Sequence, residues 1–278
     1  MMRYKLGRRP PVHTGKTMRR ALALAPYLDS LGTAPAVCTD YVSAVRRQAP
    51  HWGMYMNGPD PSAPPGVPSG ELGCCVAADS CHQAMLHSAN GGSVVVPTDQ
   101  DCLALYEAVG GYVVGDENTD QGCDESAMCS YLMQTGVAGQ KSSGTGHVDP
   151  ANVEHIKWCV QIFGACRLGE IVDQQMEEQF NSGEPWTTAA APNDPNAGGH
   201  DTPNIYYYAE YAYVCEGGDA PGGQFGLQPV AWSLIAQPAF LQEAHAEVWA
   251  DFCRVGGTAP SGFNLVGLIA ELARVEMA

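Results

Sequence analysis

The feature that most constrains this chain is a cysteine placed where a loop rich in proline and glycine runs into an apolar helix. Residues 57–70 carry so many Pro and Gly residues that neither helix nor sheet is expected there. The next stretch, ELGCCVAADSCHQAMLHSANGG, has the apolar spacing of a buried helix that ends at Gly91 and Gly92. Cys75 therefore stands at a helix N-terminus, where the helix dipole favours a thiolate. The alternative is that Cys75 packs as a small apolar residue, as most free cysteines do.

The order of the other elements predicts an α+β protein of two packed lobes. Three more helices are expected, over 98–110 with Thr98 as the N-cap, over 124–136, and over 150–164 with Pro150 in the first position. Strand-like segments follow at 165–172, 200–218 and 222–235. A short amphipathic helix is expected over 263–278. The first half is thus helix-rich and the second half is antiparallel β.

Charge is distributed unevenly along the chain. Residues 1–47 hold nine of the fourteen Lys and Arg residues and two of the thirty acidic residues, so this part sums to +7 and the remainder to −23. Either the basic arm lies across its own acidic body, or it contacts an acidic partner such as a second copy of the chain. The acidic body disfavours nucleic acid as the main partner.

Other features limit the cofactors and the location. No apolar run is long enough to span a membrane, and the N-terminus does not resemble a secretory signal. Eleven cysteines occur without any C-x-x-C spacing, which is typical of buried thiols in a reducing compartment. Neither a metal nor an organic cofactor is expected, because the His and Cys residues lack ligand spacing.

Three short motifs resemble the papain-like cysteine peptidases. Gly73, Cys75 and Ala77 match their Gly-Ser-Cys-Trp-Ala motif at the loop-to-helix junction, with Cys74 and Val76 as departures. The segment 122–136 resembles the family's Gly-Cys-x-Gly-Gly region, and its matching residues are Gly122, Cys123, Ala127, Tyr131 and Gly136. In secreted members that cysteine forms a disulfide with a residue whose place here is taken by Leu72, so this bond should be absent.

The third motif, Gly198-Gly199-His200, precedes a β-like run, as does the base histidine of the family. The separation between Cys75 and His200 is close to the ~130 residues or more typical of these enzymes. The resemblance implies that Cys75 is the nucleophile and His200 the general base. His82 and His87 lie on the Cys75 helix but are too far along its axis to reach the thiol, so they are expected to pack on the helix face or in the core.

Two other positions of the family motif do not match. The Asn that orients the histidine falls on Val230, two residues before Trp232, which would be the shielding Trp. A backbone carbonyl, Asp201 or Asn204 could orient the imidazole instead. The oxyanion Gln falls on Ser69, and the nearby Glu71 is not a donor when ionised. The backbone of Ser69 or Glu71, together with the Cys75 N–H, would then supply the oxyanion donors.

The layout also resembles papain-like proteins encoded by bacteriophages and prophages, through segments such as Tyr4–Pro10 and Trp52-Gly53-Met54. The resemblance implies residues 1–50 as a basic N-terminal arm and 51–278 as a papain-like domain. One hypothesis is a thiol peptidase of phage origin that acts on protein or peptide substrates. The alternative is a catalytically impaired virion component that binds other virion proteins or itself through the arm. The expected location is the virion or the host cytoplasm.

Overall fold

The computed structural model describes most of the chain. It covers residues 7–10, 24–49, 72–216 and 226–252, together with Ala259, Ser261, Gly262, Asn264 and Gly267. The predictions for Ser69, Glu71, residues 52–54 and the C-terminal helix lie outside the described residues or are covered only at isolated positions. Within the described part, no helix is both long and apolar enough to cross a membrane.

The helices are concentrated in the first two thirds of the chain. In chain order they are α1 (residues 24–30), α2 (Val42–Gln48), α3 (Cys75–Gly91), α4 (Asp99–Leu105), α5 (Glu125–Gln134), α6 (Val153–Phe163), α7 (Gln174–Ser182) and α8 (Trp232–Ile235). A π-helical turn, Tyr106–Gly110, continues α4.

The strands form one antiparallel sheet. They are β1 (Ser142–Val148), β2 (Cys166–Val172), β3 (Gly198–Tyr208), β4 (Tyr211–Val214), β5 (Gln228–Ala231) and β6 (Leu241–Trp249). Their order in the sheet is β1-β6-β2-β3-β4-β5. The last strand in sequence thus lies between the first two, and β3, which carries His200, is central.

Helix α3 is the buried helix of the fold. Fourteen of its seventeen residues are buried, and they are mostly small. The helix packs against β3 and α2, and it ends where Gly92 adopts a φ of 121°, a conformation suited to glycine. Because α3 touches β3 directly, the positions of Cys75 and His200 are set by the same packing contact.

Local capping explains where the predicted helices begin. Thr98 and Asp101 form a reciprocal capping box at α4, and the Asp124 side chain accepts a hydrogen bond from the Ala127 amide at α5. The expected start of the fourth helix at Pro150 is wrong: Asn152 caps α6 instead, and the helix begins at Val153. The Asp149 side chain accepts from the Ala151 amide in a turn before the helix, and the Asn152 side chain accepts from the His155 amide in its first turn.

The predicted fold class is confirmed, with a helix-rich first half and an antiparallel β second half. Five elements were not predicted, namely α1, α2, β1, α7 and β6, and the strand expected over 222–235 is wrong at its end, where residues Trp232–Ile235 form α8. In β6 the inward face carries Glu243, His245 and Glu247, which are all at most 2% exposed. Polar residues on a buried face hide the alternation by which a strand is recognised.

Residues 24–49 contribute to the same hydrophobic core as the rest of the chain. Leu24, Leu28, Tyr41, Val42 and Val45 are buried within it. The division of the chain at residue 50 stays a prediction.

Candidate active site

Cys75 occupies the first turn of α3, directly after Cys74 at the N-cap. Among the ten cysteines that the structure describes, nine are buried and Cys75 alone is partly exposed. The helix N-terminus directs free amide groups and the positive end of the helix dipole at this position, which stabilises negative charge on sulfur. Cys75 therefore combines access with an environment that suits a nucleophile.

His200 lies near the start of β3 and interacts with Cys75. The imidazole is buried, and its Nε2 atom is 3.0 Å from Oε1 of Glu216. At this distance the carboxylate forms an ion pair with the imidazole when the ring is protonated.

The protonated form of His200 is favoured by its neighbours. Burial by itself lowers the pKa of His200, but the Glu216 carboxylate and the Cys75 side chain raise it by more, so that the pKa lies well above its usual value. A protonated imidazole beside a thiol at a helix N-terminus is the arrangement that generates a thiolate–imidazolium pair.

Glu216 was missed by sequence reasoning. It follows β4, and β4 pairs with β3 in a hairpin in which Asn204 faces Val214. Antiparallel pairing then carries the chain after Val214 back along β3 towards His200, and the Cys215 amide donates to the Pro203 carbonyl. Counting this register from the Tyr-rich hairpin would have located an acidic side chain beside the histidine.

The residues that sequence reasoning placed beside His200 make other contacts. Asp201 points to the opposite face of β3, as neighbours in a strand do, and pairs with Arg167 Nη1 at 2.5 Å. The ring of Trp232 packs against Tyr207, with Lys157 above it. Asn204 is buried further along β3. Their assignment as the orienting group stays a prediction, whereas Glu216 is the carboxylate in contact with the imidazole.

Two glycine segments that flank the site are held by one buried network. Asp120 Oδ1 accepts hydrogen bonds from the Gly73 amide, at 3.0 Å, and from the Tyr106 hydroxyl. The same hydroxyl accepts a hydrogen bond from the Gly122 amide at 2.9 Å. The backbone before Cys75 and the backbone before Cys123 therefore keep a fixed separation.

Comparison with solved structures gives this arrangement a context. Xylellain, a cysteine protease from Xylella fastidiosa, superposes with a TM-score of 0.55 and 13% identity over 89% of this chain and 98% of that one. Procathepsin B S9 from Trypanosoma congolense gives 0.52 and 11% identity over 88% and 86%. Digestive procathepsin L 3 from Tenebrio molitor larval midgut gives 0.50 and 14% identity over 84% and 88%.

The chain has the papain-like fold. No protein-family model and no curated protein sequence matches it. Identities this low show the fold alone, so the chemistry has to be argued from the residues of this chain.

The papain-like fold here encloses a buried charge network between α3 and the sheet. The Arg167 guanidinium contacts three carboxylates, those of Asp79 at 2.9 Å, Asp201 at 2.5 Å and Glu247 at 2.8 Å. It also donates to the Val76 carbonyl and the Ser80 hydroxyl of α3. Burial raises the pKa of Asp79 to about 6, although Arg167 acts in the opposite direction. The network ties the helix of Cys75 to β2 and to the strand of His200.

The segment Gly7–Pro10 crosses the elements that carry Cys75 and His200. The Arg8 amide donates to the Gly199 carbonyl at 3.0 Å, and the Arg9 amide donates to the Cys123 carbonyl at 2.8 Å. The Cys123 amide donates in turn to the Gly7 carbonyl at 2.8 Å. Gly7 packs so closely on Gly73 that an added Cβ would lie 1.9 Å from its carbonyl oxygen. The segment is therefore an extended peptide bound by backbone groups next to both reactive residues.

The described part of the chain also contains one group of side chains that could in principle hold a cation. Ligand atoms of Glu125, Glu243 and His245 lie within 4.8 Å of one another and are buried. In the structure the Arg8 guanidinium contacts both carboxylates. The expectation that the protein needs no metal stays a prediction.

The thiols around the nucleophile are of a different kind. Cys74 forms a hydrogen bond with Cys102, and Cys102 forms another with Cys81. The hydrogen bond to Cys102 and burial together raise the pKa of Cys74 well above its usual value. Cys123 is buried, and burial likewise raises its pKa. These thiols are neutral packing groups, so Cys75 differs from them in exposure and in having an imidazole partner.

The other histidines of α3 pack in the core. His82 is 1% exposed. His87 contacts the carbonyl oxygens of Gln83 and Phe163 at 2.5 and 2.7 Å, and burial lowers its pKa to about 4. His87 is buried in the core and its ring nitrogens lie against Gln83 and Phe163, so it is not available to Cys75.

Proposed function

We propose that this protein is a cysteine peptidase in which Cys75 is the nucleophile, His200 the general base and acid, and Glu216 the group that holds the imidazole. The observation that carries the proposal is the partly exposed thiol at a helix N-terminus beside a buried, carboxylate-paired imidazole. The papain-like fold of the chain supports the same reading.

The reaction follows from these positions. The Cys75 thiolate attacks the carbonyl carbon of a peptide bond and forms a carbon–sulfur bond. The carbon–nitrogen bond then breaks, and His200 delivers its proton to the leaving amine. Water attacks the resulting thioester, His200 accepts a proton from it, and a carboxylic acid leaves as the thiol is restored. Substrates are proteins or peptides whose extended backbone binds where Gly7–Pro10 lies.

A second candidate function is a binding component of a virion. It is favoured by the fact that Gly7–Pro10 already fills the backbone-binding position, and by the absence of Gln six residues before Cys75, where Ser69 stands. Loss of one oxyanion donor typically costs on the order of 10²–10³ in rate. In this reading the basic arm, with its charge of +7, binds acidic partners or a second copy. A phage origin and a location in the virion or the host cytoplasm are part of the proposal, and both rest on sequence resemblance.

The deciding experiment is the alkylation rate of Cys75 between pH 4 and 9, read by peptide mass spectrometry, in the wild type and in His200→Ala. A peptidase should label rapidly at pH 5 to 6 only when His200 is present. A control variant, His147→Ala, removes a histidine of β1 that packs edge-to-face against His245 and should leave the profile unchanged. Labelling that follows an ordinary thiol, with half-ionisation near pH 8.5, would eliminate the peptidase and leave the binding protein. In that case co-purification with intact particles at fixed copy number is expected.

A further inference from the structure

The side chain of Arg8 enters an acidic pocket beside the candidate active site. Its Nη1 atom lies 2.9 Å from Glu243 Oε1, its Nη2 atom 2.5 Å from Gln242 Oε1, and its Nε atom 3.7 Å from Glu125 Oε1. The guanidinium is 1% exposed, and so is the carboxylate of Glu243, while Glu125 is fully buried. A fixed set of oxygen acceptors around a planar guanidinium is how proteins recognise arginine.

The pocket has the charge to bind such a group. Burial alone would raise the pKa of Glu243, but His245 and Arg8 lower it overall, which keeps this carboxylate ionised. Burial raises the pKa of Glu125, with Asp201 and Glu243 adding to the effect. Glu243 is therefore the principal ionic partner of the guanidinium, and Glu125 lies on the other side of the pocket.

Gly169 forms the floor of the pocket. A Cβ atom at this position would lie 2.1 Å from Glu125 Oε1 and 3.0 Å from Arg8 Cδ. Gly169 lies on β2 opposite Glu243 of β6, so any side chain there would fill the space that the arginine stem occupies.

The backbone contacts of the segment do not depend on its own sequence. Gly199 offers a carbonyl, and Cys123 offers both a carbonyl and an amide. Any extended peptide can use these groups, whereas the acidic pocket selects one side chain. An open groove of about 460 Å³, lined in part by Pro10, Leu241 and Gln242, adjoins the pocket where the segment leaves it.

We propose that the pocket of Glu125, Gln242, Glu243 and Gly169 binds the arginine side chain of a peptide in the cleft, and that Arg8 fills it until such a peptide displaces the Gly7–Pro10 segment. The proposal deepens the proposed peptidase function, on which it rests, by naming the substrate class as peptides with arginine at one position near the cleaved bond.

Recognition is tested apart from catalysis by calorimetry on the full chain with Cys75→Ser. The probes are an acetylated peptide of residues 3–10 and the same peptide with norleucine in place of Arg8. With Arg8→Ala added, the arginine peptide should bind about ten- to hundredfold tighter than the norleucine peptide, as expected for charge-assisted hydrogen bonds. Adding Glu243→Gln or Gly169→Ala should abolish the preference.

The matched control is Arg9→Ala, which removes the same charge from the neighbouring position. The Arg9 guanidinium donates to the carbonyls of Gln121 and Gly110, outside the pocket, so this variant should still exclude both peptides. Equal affinity of the Arg8→Ala protein for both peptides would overturn the proposal. So would tight binding of Zn²⁺ to that protein without any binding of the arginine peptide.

A second measurement serves if Arg8→Ala does not fold. Glu243→Gln is isosteric and keeps Arg8, so loss of the ionic anchor should speed hydrogen exchange of the Arg8 and Arg9 amides at least about tenfold. Unchanged exchange would overturn the proposal. Failure of the peptidase proposal and failure of the pocket proposal give different results. Slow alkylation of Cys75 that does not depend on His200 would reject the peptidase function. Activated alkylation without a preference for the arginine peptide would reject only the assignment of the pocket.

Discussion

Replacing Glu216 by Gln tests the most unexpected part of the candidate site. The substitution keeps the shape of the side chain and an oxygen acceptor near His200, but it removes the negative charge that favours imidazolium. If Glu216 holds His200 in the protonated state, the variant should lose the thiolate at acidic pH while the fold persists.

The structure sets the size of the effect. Unit charges 3.0 Å apart attract by about 5 kcal/mol at an effective dielectric constant of about 20. This value is a ceiling, because both side chains are 11% exposed and the Gln oxygen retains part of the interaction. Opposite charges at such distances typically shift a pKa by about one to three units. The pKa of His200 should fall by that amount in Glu216→Gln.

The assay is alkylation of Cys75 by iodoacetamide as a function of pH. In the wild type the thiolate–imidazolium pair should persist from acidic pH up to the raised pKa of His200, above which the imidazole loses its proton. In Glu216→Gln the rate at pH 5.5 should fall about tenfold to a thousandfold, because each pKa unit changes the population of the pair tenfold. The profile should approach that of an ordinary thiol.

Glu210→Gln is the control. Glu210 is an exposed acid in the turn of the same hairpin, so the variant has the same change in charge without contact to His200. It should match the wild type. An acidic labelling rate in Glu216→Gln within about twofold of the wild type, with an unchanged melting temperature, would refute the assignment of Glu216.

The remaining predictions concern buried charge. Burial raises the pKa of Glu170 to about 8, so the folded state keeps a proton that the unfolded state loses from about pH 4.5 upward. The free energy of unfolding should therefore fall with rising pH, by up to about 1.4 kcal/mol per pH unit, until pH 8. Chemical unfolding of Glu170→Gln should lack this slope, and an unchanged slope would contradict the reasoning. Arg167→Met leaves three buried carboxylates without their cation and should cost about 3–5 kcal/mol at pH 7. The loss should shrink at pH 5, where Asp79, with a pKa of about 6, is protonated. A loss below about 1 kcal/mol at pH 7, measured by urea unfolding, would show that the network does not stabilise the fold.

The parts of the site that are local in sequence could be predicted. The start of α3 at Cys75 follows from the loop that precedes it and from the apolar helix that follows. The place of His200 follows from two glycines before a β-rich run. Each signal is contained in a short stretch of neighbouring residues. The resemblance to papain-like proteins then implied that the two residues act together, as a nucleophile and its general base.

The partner of His200 could not be predicted in this way. A search confined to the residues beside the histidine finds Asp201, whose side chain points to the other face of the strand. Glu216 reaches the imidazole only because the hairpin folds back, so its place depends on the β3–β4 register.

The sequence by itself determined the class of fold, the buried helix of Cys75 and the strand of His200, because periodicity, capping and glycine placement act over short stretches. Only the tertiary structure decided which charges meet. Arg8 reaches Glu243 across more than 230 residues, and β6 carries Glu243 and Glu247 into the core because Arg8 and Arg167 lie there to pair with them. Such pairings depend on the sheet order and on the path of Gly7–Pro10 across the elements that carry Cys75 and His200, and neither leaves a local pattern in the chain.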